Sequence, residues 1–373
     1  MVSQLNGKSL QRTDLIVSRP EGLYCPAADF YIDPWRPVER AVITHGHADH
    51  ARPGHRHYLA AALGEGVLRK RLGADINLET LQYGQSISLN GVKLSLHPAG
   101  HVLGSAQVRL EHKGEVWVAS GDYKVEADGT CAPFESVRCD TFITESTFGL
   151  PIYKWQPQTE IFADINAWWQ SNADLNRTSV LFCYAFGKAQ RLLSGLNSAI
   201  GPIVVHGAVE PLNRVYREAG VPLPATQYVG DVADSAQFKK SIVLAPPSAQ
   251  GTSWMKRFGD YADGFASGWM QLRGRRRRRG VDRGFILSDH ADWPGLVAAI
   301  TASGAGRILV THGSVNIMVR WLAEQGLEAG EFVTEYGGEE METGSALYAN
   351  DESAVQSKSV DQNTIAVDQA VAV

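Results

Sequence analysis

The stretch ERAVITHGHADH, residues 39–50, decides how this chain folds and which chemistry it can support. Its first half is rich in β-branched and apolar residues, which predicts a strand. Directly after that strand, four side chains that can bind a metal ion stand within six residues: His45, His47, Asp49 and His50. A tight loop can aim alternate side chains at one point, so we expect the first two to share one metal ion and the last two to reach a second. Imidazole nitrogen and carboxylate oxygen suit Zn²⁺, and also Mn²⁺ or Fe²⁺.

Three further candidate ligands follow along the chain: His101 in HPAGHVLGS, Asp122 in VASGDYK and His312 in LVTHG. With the first four they make five histidines and two aspartates. Two neighbouring metal ions need a bridging ligand, which a carboxylate such as Asp122 can provide and a neutral imidazole cannot. Such a pair of ions can clamp a displacement at phosphorus and lower the pKa of a shared water toward neutrality.

Short apolar runs that end in polar or glycine clusters recur along the chain with helical patterns between them, which predicts an α/β layered fold. Several of these runs lead into a titratable residue that we expect just past the end of a strand. They are EVWVAS before Asp122, DTFIT before Glu145, RGFILS before His290 and RILVT before His312. In α/β folds, ligands bind at the carboxyl ends of such strands. Residues 152–284 carry strand and helix patterns but few candidate metal ligands, which predicts an inserted domain. One catalytic domain would then comprise residues 1–151 and 285–349, and the polar stretch 350–373 would be a disordered tail.

The composition of the 373 residues, 44% hydrophobic and 20% charged, is that of an ordinary globular protein. It excludes collagen-like and wholly disordered chains, and no run approaches the ~18–20 apolar residues of a membrane span. The N-terminus shows no signal-peptide pattern, and the four cysteines form no C-x-x-C pair. We therefore expect a cytoplasmic protein with reduced cysteines, without a disulfide framework, a thiolate zinc site or a membrane partner.

The ligand pattern resembles that of the metallo-β-lactamase fold, in which an H-x-H-x-D-H run is followed by a histidine, an aspartate and a last histidine. The resemblance implies an αββα sandwich with a dinuclear site at one edge. By itself this pattern leaves lactonase, thioester hydrolase and nuclease activities open.

Four further motifs are similar to those of the β-CASP nuclease branch of this fold, whose β-CASP α/β domain is inserted into the sandwich. They are TESTFG at 144–149, SDHAD at 288–292, THG at 311–313 and AFGKAQ at 185–190. Within that branch the chain resembles the bacterial ligase-associated DNA exonucleases, some of which are also described as RNA 3′-end processing factors. The segments that carry this resemblance are LYCP at 23–26, FYIDPW at 30–35, GWM at 268–270 and DRGF at 282–285.

The resemblance implies a role for each matching residue. One metal ion, Zn²⁺ or Mn²⁺, would be held by His45, His47, His101 and Asp122, and a second by Asp49, His50, Asp122 and His312. Asp49, Asp122, Glu145 and His290 would form the catalytic set, with His290 as the general acid that Glu145 orients and charges. The alternative is that Glu145 and His290 are a structural pair or further ligands. Asp33 would support the ligand loop from behind the metal ions, although an aspartate at the end of a strand can also be a plain turn residue.

Contacts to nucleic acid are expected at three places. Seven arginines stand within residues 273–283, a run that is either a solvated face or a contact for a polyanion. A predicted helix start at Gly187 and the loop at Ser248 could bind phosphate, but either could equally be a simple turn. The candidate contact residues are Gly187, Lys188, Ser248, Arg275, Arg276, Arg277, Arg278 and Arg279.

The function that the resemblance implies is a metal-dependent DNA exonuclease of bacterial DNA repair that acts with an ATP-dependent DNA ligase and a helicase. An RNA nuclease of the same branch is the alternative, because a histidine at the position of His312 is typical of RNA-processing members. A catalytically dead scaffold is disfavoured by the presence of all seven ligands. A small-molecule hydrolase is disfavoured because it would not need the insert.

Overall fold

The strand that leads into the histidine loop lies in a six-stranded sheet. A computed structural model describes residues 14–232 and 234–336, with the side chain of Arg276 left out, so the expected tail at 350–373 lies outside the described residues. The strands of this sheet are neighbours in chain order, antiparallel in its first three members and parallel thereafter. They are β1 (Val17–Arg19), β2 (Gly22–Cys25), β3 (Phe30–Ile32), β4 (Arg40–Val42), β5 (His57–Ala61) and β6 (Leu78–Leu81).

A second sheet contains seven strands within the described residues, in the order β19-β18-β11-β10-β9-β8-β7. Its first five strands in the chain are β7 (Ser86–Leu89), β8 (Val92–Pro98), β9 (Ala106–His112), β10 (Glu115–Ala119) and β11 (Thr141–Ser146). The chain then leaves this sheet and returns after residue 290. The returning strands are β18 (Arg307–Gly313) and β19 (Glu328–Glu331).

A third sheet lies between these two visits and is parallel throughout, with strand order β14-β13-β15-β12-β16-β17. Its strands are β12 (Thr178–Phe182), β13 (Ile203–Val205), β14 (Gln227–Tyr228), β15 (Ile242–Ala245), β16 (Tyr261–Ala266) and β17 (Arg283–Phe285). The sheet therefore falls within the stretch for which the sequence predicts an insert, apart from its last residue. The exact domain boundaries stay predictions.

Seven α-helices accompany these sheets in the described part of the chain. They are α1 (Glu65–Leu72), α2 (Gln158–Asp174), α3 (Lys188–Gly195), α4 (Glu210–Glu218), α5 (Arg273–Arg279), α6 (Trp293–Ser303) and α7 (Val315–Glu324). Short 3₁₀ helices occupy Ala62–Gly64, Val229–Asp231, Ser235–Phe238, Pro247–Ala249, Ser253–Phe258 and Gly268–Gln271. None of the helices described is long and apolar enough to cross a membrane.

The helix α6 shows how the local sequence sets an element. The side chain of Asp292 accepts a hydrogen bond from the backbone N–H of Gly295, which satisfies one of the free donors at the helix start. Pro294 fits the first turn, where no intrahelical N–H is required. Gly304 ends the helix with φ of 65°, a left-handed conformation that glycine adopts without strain.

Buried apolar side chains divide the molecule into layers. One core lies between the first and second sheets and joins residues of both, such as Phe30 and Trp117. A second packs α1 on the outer face of the first sheet, through Leu68. A third packs α6 and α7 on the outer face of the second sheet, through Leu296 and Met318. The expected mixed α/β class is confirmed, and the layers bring the carboxyl ends of several strands to one edge.

Candidate metal centre

All seven predicted metal ligands lie buried at this edge, none more than 7% exposed. The loop that follows β4 contributes four of them, and His101 lies in the turn between β8 and β9. Asp122 follows β10, as the sequence predicted. His312, however, lies within β18 rather than after it, and Glu145 lies within β11.

A β-bulge explains the placement of His312. In the pairing of β11 with β18, Thr144 opposes Val310 and Ser146 opposes Gly313, so Thr311 and His312 together oppose one residue. A bulge of this kind re-aims a side chain without ending the strand, and bulges are frequent beside active sites. The sequence alone does not reveal it, because the run RILVTHG continues as an ordinary strand.

The first set of donor atoms comes from three imidazoles and one carboxylate. His47 Nδ1 is 3.1 Å from His45 Nε2 and 3.0 Å from His101 Nε2. Asp122 Oδ2 is 3.5 Å from His45 Nε2 and 4.0 Å from His101 Nε2. These are the four residues that the resemblance implies for one metal ion, and they form one cluster.

The second set shares Asp122 with the first. His50 Nε2 is 3.4 Å from Asp122 Oδ2, and His312 Nε2 is 3.2 Å from Asp122 Oδ1. Asp49 Oδ2 lies 3.8 Å from His50 Nε2. The carboxylate of Asp122 therefore faces both sets, with one oxygen toward His312 and the other toward the first set and His50.

The donor spacings fit metal ligands. Four ligands on a tetrahedral ion with bonds of about 2.0–2.2 Å stand about 3.3–3.6 Å apart, close to most of these separations. Among the described residues, His50 Nε2, His312 Nε2 and Asp122 Oδ1 are buried without a hydrogen-bond partner. Leaving such atoms unsatisfied costs about 1–3 kcal/mol each. The last two form no hydrogen bond although they are close, as expected for atoms that point at a common third position. The cluster therefore fits a metal site.

The other ring nitrogen of each ligand histidine is held by a partner outside the donor sets. Asp33, which follows β3, accepts hydrogen bonds from Thr44 N at 2.7 Å, from His50 Nδ1 at 2.8 Å and from Thr44 Oγ1. Thr44 Oγ1 in turn accepts from His45 Nδ1 at 3.0 Å. Because Nδ1 of His45 and His50 carries the donated proton, Nε2 of each is left for a metal ion.

The remaining histidines are oriented in the same manner. His312 Nδ1 donates to Thr311 Oγ1 at 2.9 Å, and His101 Nδ1 donates to the backbone carbonyl of Asp289 at 2.8 Å. His47 is reversed, since its Nε2 donates to the backbone carbonyl of Phe186 at 3.4 Å and its Nδ1 faces the donor set. These bonds fix the ring orientations and make the donor atoms convergent.

Charges and burial set the protonation of the donors. Burial, together with neighbouring histidines, lowers the pKa of His45, His47 and His101 below the usual range. Burial opposes ionisation of Asp122, but His50 and His312 hold its pKa well below its usual value. Burial also opposes protonation of His50, yet the carboxylates of Asp122 and Asp49 raise its pKa. The three histidines of the first set are therefore neutral donors, whereas a metal ion at the second set would displace the additional proton of His50 from Nε2.

A second pair of titratable residues stands beside the donor sets. His290 Nδ1 lies 3.1 Å and 2.9 Å from the two carboxylate oxygens of Glu145, and both side chains are buried. The backbone N–H of Tyr123 donates to Glu145 Oε1 at 2.8 Å and fixes the carboxylate. Burial disfavours the imidazolium, but Glu145 outweighs it and raises the pKa of His290 to about 10. Asp122, Glu145 and His290 also form a cluster of potential ligands.

The predicted contact residues for nucleic acid lie elsewhere. Gly187 and Lys188 begin α3 inside the protein, where the Gly187 N–H is bonded to Gln190 Oε1. Ser248 is exposed on a 3₁₀ turn of the predicted insert. The arginine run forms α5, in which Arg277 and Arg278 are exposed, while Arg275 stacks on Trp269 and Arg279 on Phe265.

Sequence reasoning missed several residues that hold the centre. Thr44 and Thr311 bond the histidines that follow them, and the repeated tripeptide Thr-His-Gly was a signal that could have revealed both. Tyr336 stacks on the imidazole of His50 with ring centroids 4.4 Å apart and planes 20° apart. No pattern marked Tyr336, because its position depends on a long return of the chain.

No family model matches the chain, but its sequence is similar to several known proteins. Over 311 residues, 83% of its length, the chain is 32% identical to a protein of Opitutus terrae named "Probable DNA ligase", of which the match covers 30%. Over 118 residues it is 30% identical to "Endoribonuclease YSH1" of Eremothecium gossypii. This match covers 31% of this chain and 15% of that protein. The same holds for "Cleavage and polyadenylation specificity factor subunit 3" of Dictyostelium discoideum. The chain thus spans less than a third of the length of these relatives.

A solved structure also resembles the chain. It is a protein of unknown function from Enterococcus faecalis V583, with a TM-score of 0.55, 10% identity and 80% of both chains covered. At that identity the likeness shows the fold alone. The similarities to the ligase-named protein and to the YSH1 proteins, together with the buried histidine and aspartate clusters, support a metallo-β-lactamase/β-CASP nuclease family for this chain.

Proposed function

We propose that the chain is a nuclease that hydrolyses phosphodiester bonds of DNA with two divalent ions, Zn²⁺ or Mn²⁺. One observation carries this proposal: two donor sets share the carboxylate of Asp122 directly beside the Glu145–His290 pair. In the same proposal the first two sheets and their helices form the αββα sandwich, and residues 152–284 form the β-CASP insert.

The residues suit hydrolysis at phosphorus. Two ions held by the donor sets would act as Lewis acids on the phosphate and lower the pKa of a water molecule. His290 would donate a proton to the leaving oxygen, and Glu145 would keep that imidazole charged and correctly turned. Asp33 would fix the loop behind the centre through Thr44 and His50.

The match to the ligase-named protein favours DNA as the substrate. That protein contains, within one polypeptide, a segment similar to 83% of this chain. A DNA ligase joins DNA ends only when they are free of damaged or unpaired nucleotides. An exonuclease trims DNA ends, so its product is one that a ligase can use. We therefore propose a role in bacterial DNA repair, in the cytoplasm, with a DNA ligase. A helicase partner rests on the family resemblance alone.

RNA is the alternative substrate. The relatives named as endoribonucleases and as a cleavage and polyadenylation factor support it, and so does His312. Their matched share is smaller, 31% of the chain against 83% for the ligase-named protein.

The arginine helix α5 is the proposed contact for the substrate backbone. Its exposed members Arg277 and Arg278 can neutralise phosphates without reading base sequence. Ser248 is a second proposed phosphate contact on the exposed surface of the insert. Gly187 and Lys188 lie inside the protein, so the proposed backbone contacts rest on the other residues.

The test is a cleavage assay with purified protein that has been loaded in turn with Zn²⁺ and Mn²⁺. Single-stranded DNA and RNA of one sequence, labelled at either end, and a circular DNA serve as substrates. The variant Asp122→Asn removes the shared carboxylate and should abolish cleavage. Asp260→Asn is the matched control, because Asp260 is exposed and pairs only with Arg177 among its described ion pairs.

Stepwise shortening of linear DNA, with circular DNA and RNA intact, is the expected result. Cleavage of RNA alone would refute DNA as the substrate and favour the alternative. Cleavage of the circle would refute the exonuclease mode. An Asp122→Asn variant as active as the control would refute the metal centre.

A further inference from the structure

The first donor set is held in part by the inserted domain. The chain enters α3 through Phe186, whose carbonyl accepts the Nε2–H of His47 at 3.4 Å. Three residues into the helix, Arg191 donates from Nη2 to the backbone carbonyl of His101 at 3.2 Å. Two of the three histidines of the first set are therefore in contact with the beginning of α3.

A buried ion pair strengthens this connection. Lys188 Nζ lies 3.1 Å from Asp289 Oδ1, and the two side chains are 0% and 3% exposed. The backbone carbonyl of the same Asp289 accepts the Nδ1–H of His101. Lys188 thus acts on a metal ligand through a single intermediate residue.

The Lys188–Asp289 ion pair can exist only while α3, which begins at Lys188, stays packed against the loop that contains Asp289. Burial opposes ionisation of Asp289, but the ammonium group of Lys188 keeps its pKa well below the usual range. Two buried charges offset each other only while they remain in contact, and breaking a buried ion pair by removing one partner is strongly destabilising. If α3 moved away from the donor set, this ion pair would break, and the loop that bonds His101 would lose this restraint.

The second donor set is supported differently. His50 is bonded by Asp33, His312 is bonded by Thr311, and Tyr336 stacks on His50. All three supporting residues lie outside residues 152–284. Among the contacts described, residues of the insert therefore contact the first donor set and Asp289, which orients His101 of that set. In the described part of the chain they do not contact Asp33, Thr311 or Tyr336, which support the second set.

We propose that Lys188 is a positioning residue, whose ion pair with Asp289 makes the affinity of the first metal site depend on the docked insert while the second site is independent of it. This rests on the proposed metal binding but not on nuclease activity. It also gives Lys188 a role that does not involve phosphate, in keeping with its burial.

The test measures zinc affinity one site at a time. The variant His312→Ala leaves the first set intact, and His45→Ala leaves the second intact. Lys188→Met is introduced into each background, with Lys256→Met as the matched control at an exposed lysine of the insert. The dissociation constant for Zn²⁺ is measured by competition with a chromophoric chelator, and circular dichroism verifies folding.

The expected result is that Lys188→Met weakens the first site about 10–100-fold, the usual effect of losing a group that orients a metal ligand, and leaves the second unchanged. If Lys188→Met does not fold, the double variant Lys188→Met/Asp289→Asn removes both charges and should show the same selective loss.

An unchanged first site in a folded variant, or equal losses at both sites, would overturn the inference while the metal centre stands. Absence of zinc binding in both backgrounds without Lys188→Met would overturn the metal centre and this inference with it.

Discussion

Substitution of Asp33 by asparagine should weaken the second metal site with little change in shape. The carboxylate accepts three hydrogen bonds in a buried environment, two from Thr44 and one from His50 Nδ1. An amide of the same size can still accept from Thr44 N, but its NH₂ group then faces His50 Nδ1. Two donors cannot pair, so His50 would keep its proton on Nε2, the atom that the metal ion requires.

The size of the effect follows from this conflict. To bind a metal ion through Nε2, His50 must leave one buried donor unpaired, at a cost of about 1–3 kcal/mol. At about 1.4 kcal/mol per tenfold change, the dissociation constant should rise about 5- to 140-fold. The first site should weaken less, because Asp33 reaches His45 only through the hydroxyl of Thr44.

Asparagine is a better test than alanine. Asp33 has φ of 42°, a left-handed conformation that asparagine tolerates and alanine adopts at a cost of about 1–2 kcal/mol. Alanine would also leave three buried donors unsatisfied, at about 1–3 kcal/mol each before relaxation. Such a loss is a large part of the about 5–15 kcal/mol that stabilises a typical domain, so we expect Asp33→Ala to misfold.

The assay is zinc competition in the His45→Ala and His312→Ala backgrounds, which isolate the second and first sites. Asp29→Asn is the control, because Asp29 is exposed in the neighbouring turn and also has a positive φ, of 57°. Unchanged affinity at the second site in a folded Asp33→Asn protein would refute the reasoning. So would a larger loss at the first site than at the second.

Three further predictions concern other parts of the molecule. Glu145→Gln should lower the pKa of His290, because the carboxylate that contributes most to offsetting burial is removed. NMR titration of the metal-free protein should find the midpoint of this imidazole below that of the unaltered protein, and an unchanged midpoint would contradict this. Arg277→Ala/Arg278→Ala should weaken DNA binding. It should also reduce the slope of the logarithm of the binding constant against the logarithm of the salt concentration, by about 1 for each phosphate that is no longer neutralised. The exposed control Arg320→Ala should leave this slope unchanged, and equal slopes for the two variants would contradict the assignment of α5 to DNA binding. Chelation should lower the melting temperature in a concentration-dependent manner, since bound ions stabilise only the folded state, and an unaltered melting curve would contradict metal binding.

The donor residues could be predicted from the sequence because their spacing is local. His45, His47, Asp49 and His50 share one loop, and the short-range pattern already contains the geometry of that loop. Distant members such as Asp122 could be found because strands of one sheet end at one edge. Glu145 and His312 were expected just after a strand, and this was wrong, because both lie within one. The difference comes from a bulge in the pairing of these two strands, which hydrophobic periodicity does not reveal.

The partners that orient the donors could not be predicted as readily. Phe186 and Asp289 act through backbone carbonyls, which every residue possesses, so no residue type signals the contact. In the sequence, Lys188 looks like a phosphate ligand at a helix start. Whether its side chain faces solvent or the buried Asp289 depends on how distant segments of the chain pack. Local sequence determines which atoms can bind, whereas tertiary packing determines which of them are free to do so.

The loop at residues 288–290 connects the first donor set with the proposed general acid. Asp289 accepts the hydrogen bond that turns His101 toward the first donor set, and the next residue, His290, is paired with Glu145. Ser288 Oγ accepts the backbone N–H of His290 and fixes the same turn. A displacement of this loop must therefore alter a metal ligand and the proposed acid together. Lys188 of the proposed insert pairs with Asp289. We therefore expect a protein whose insert is not docked to lose both elements of the proposed centre in one movement.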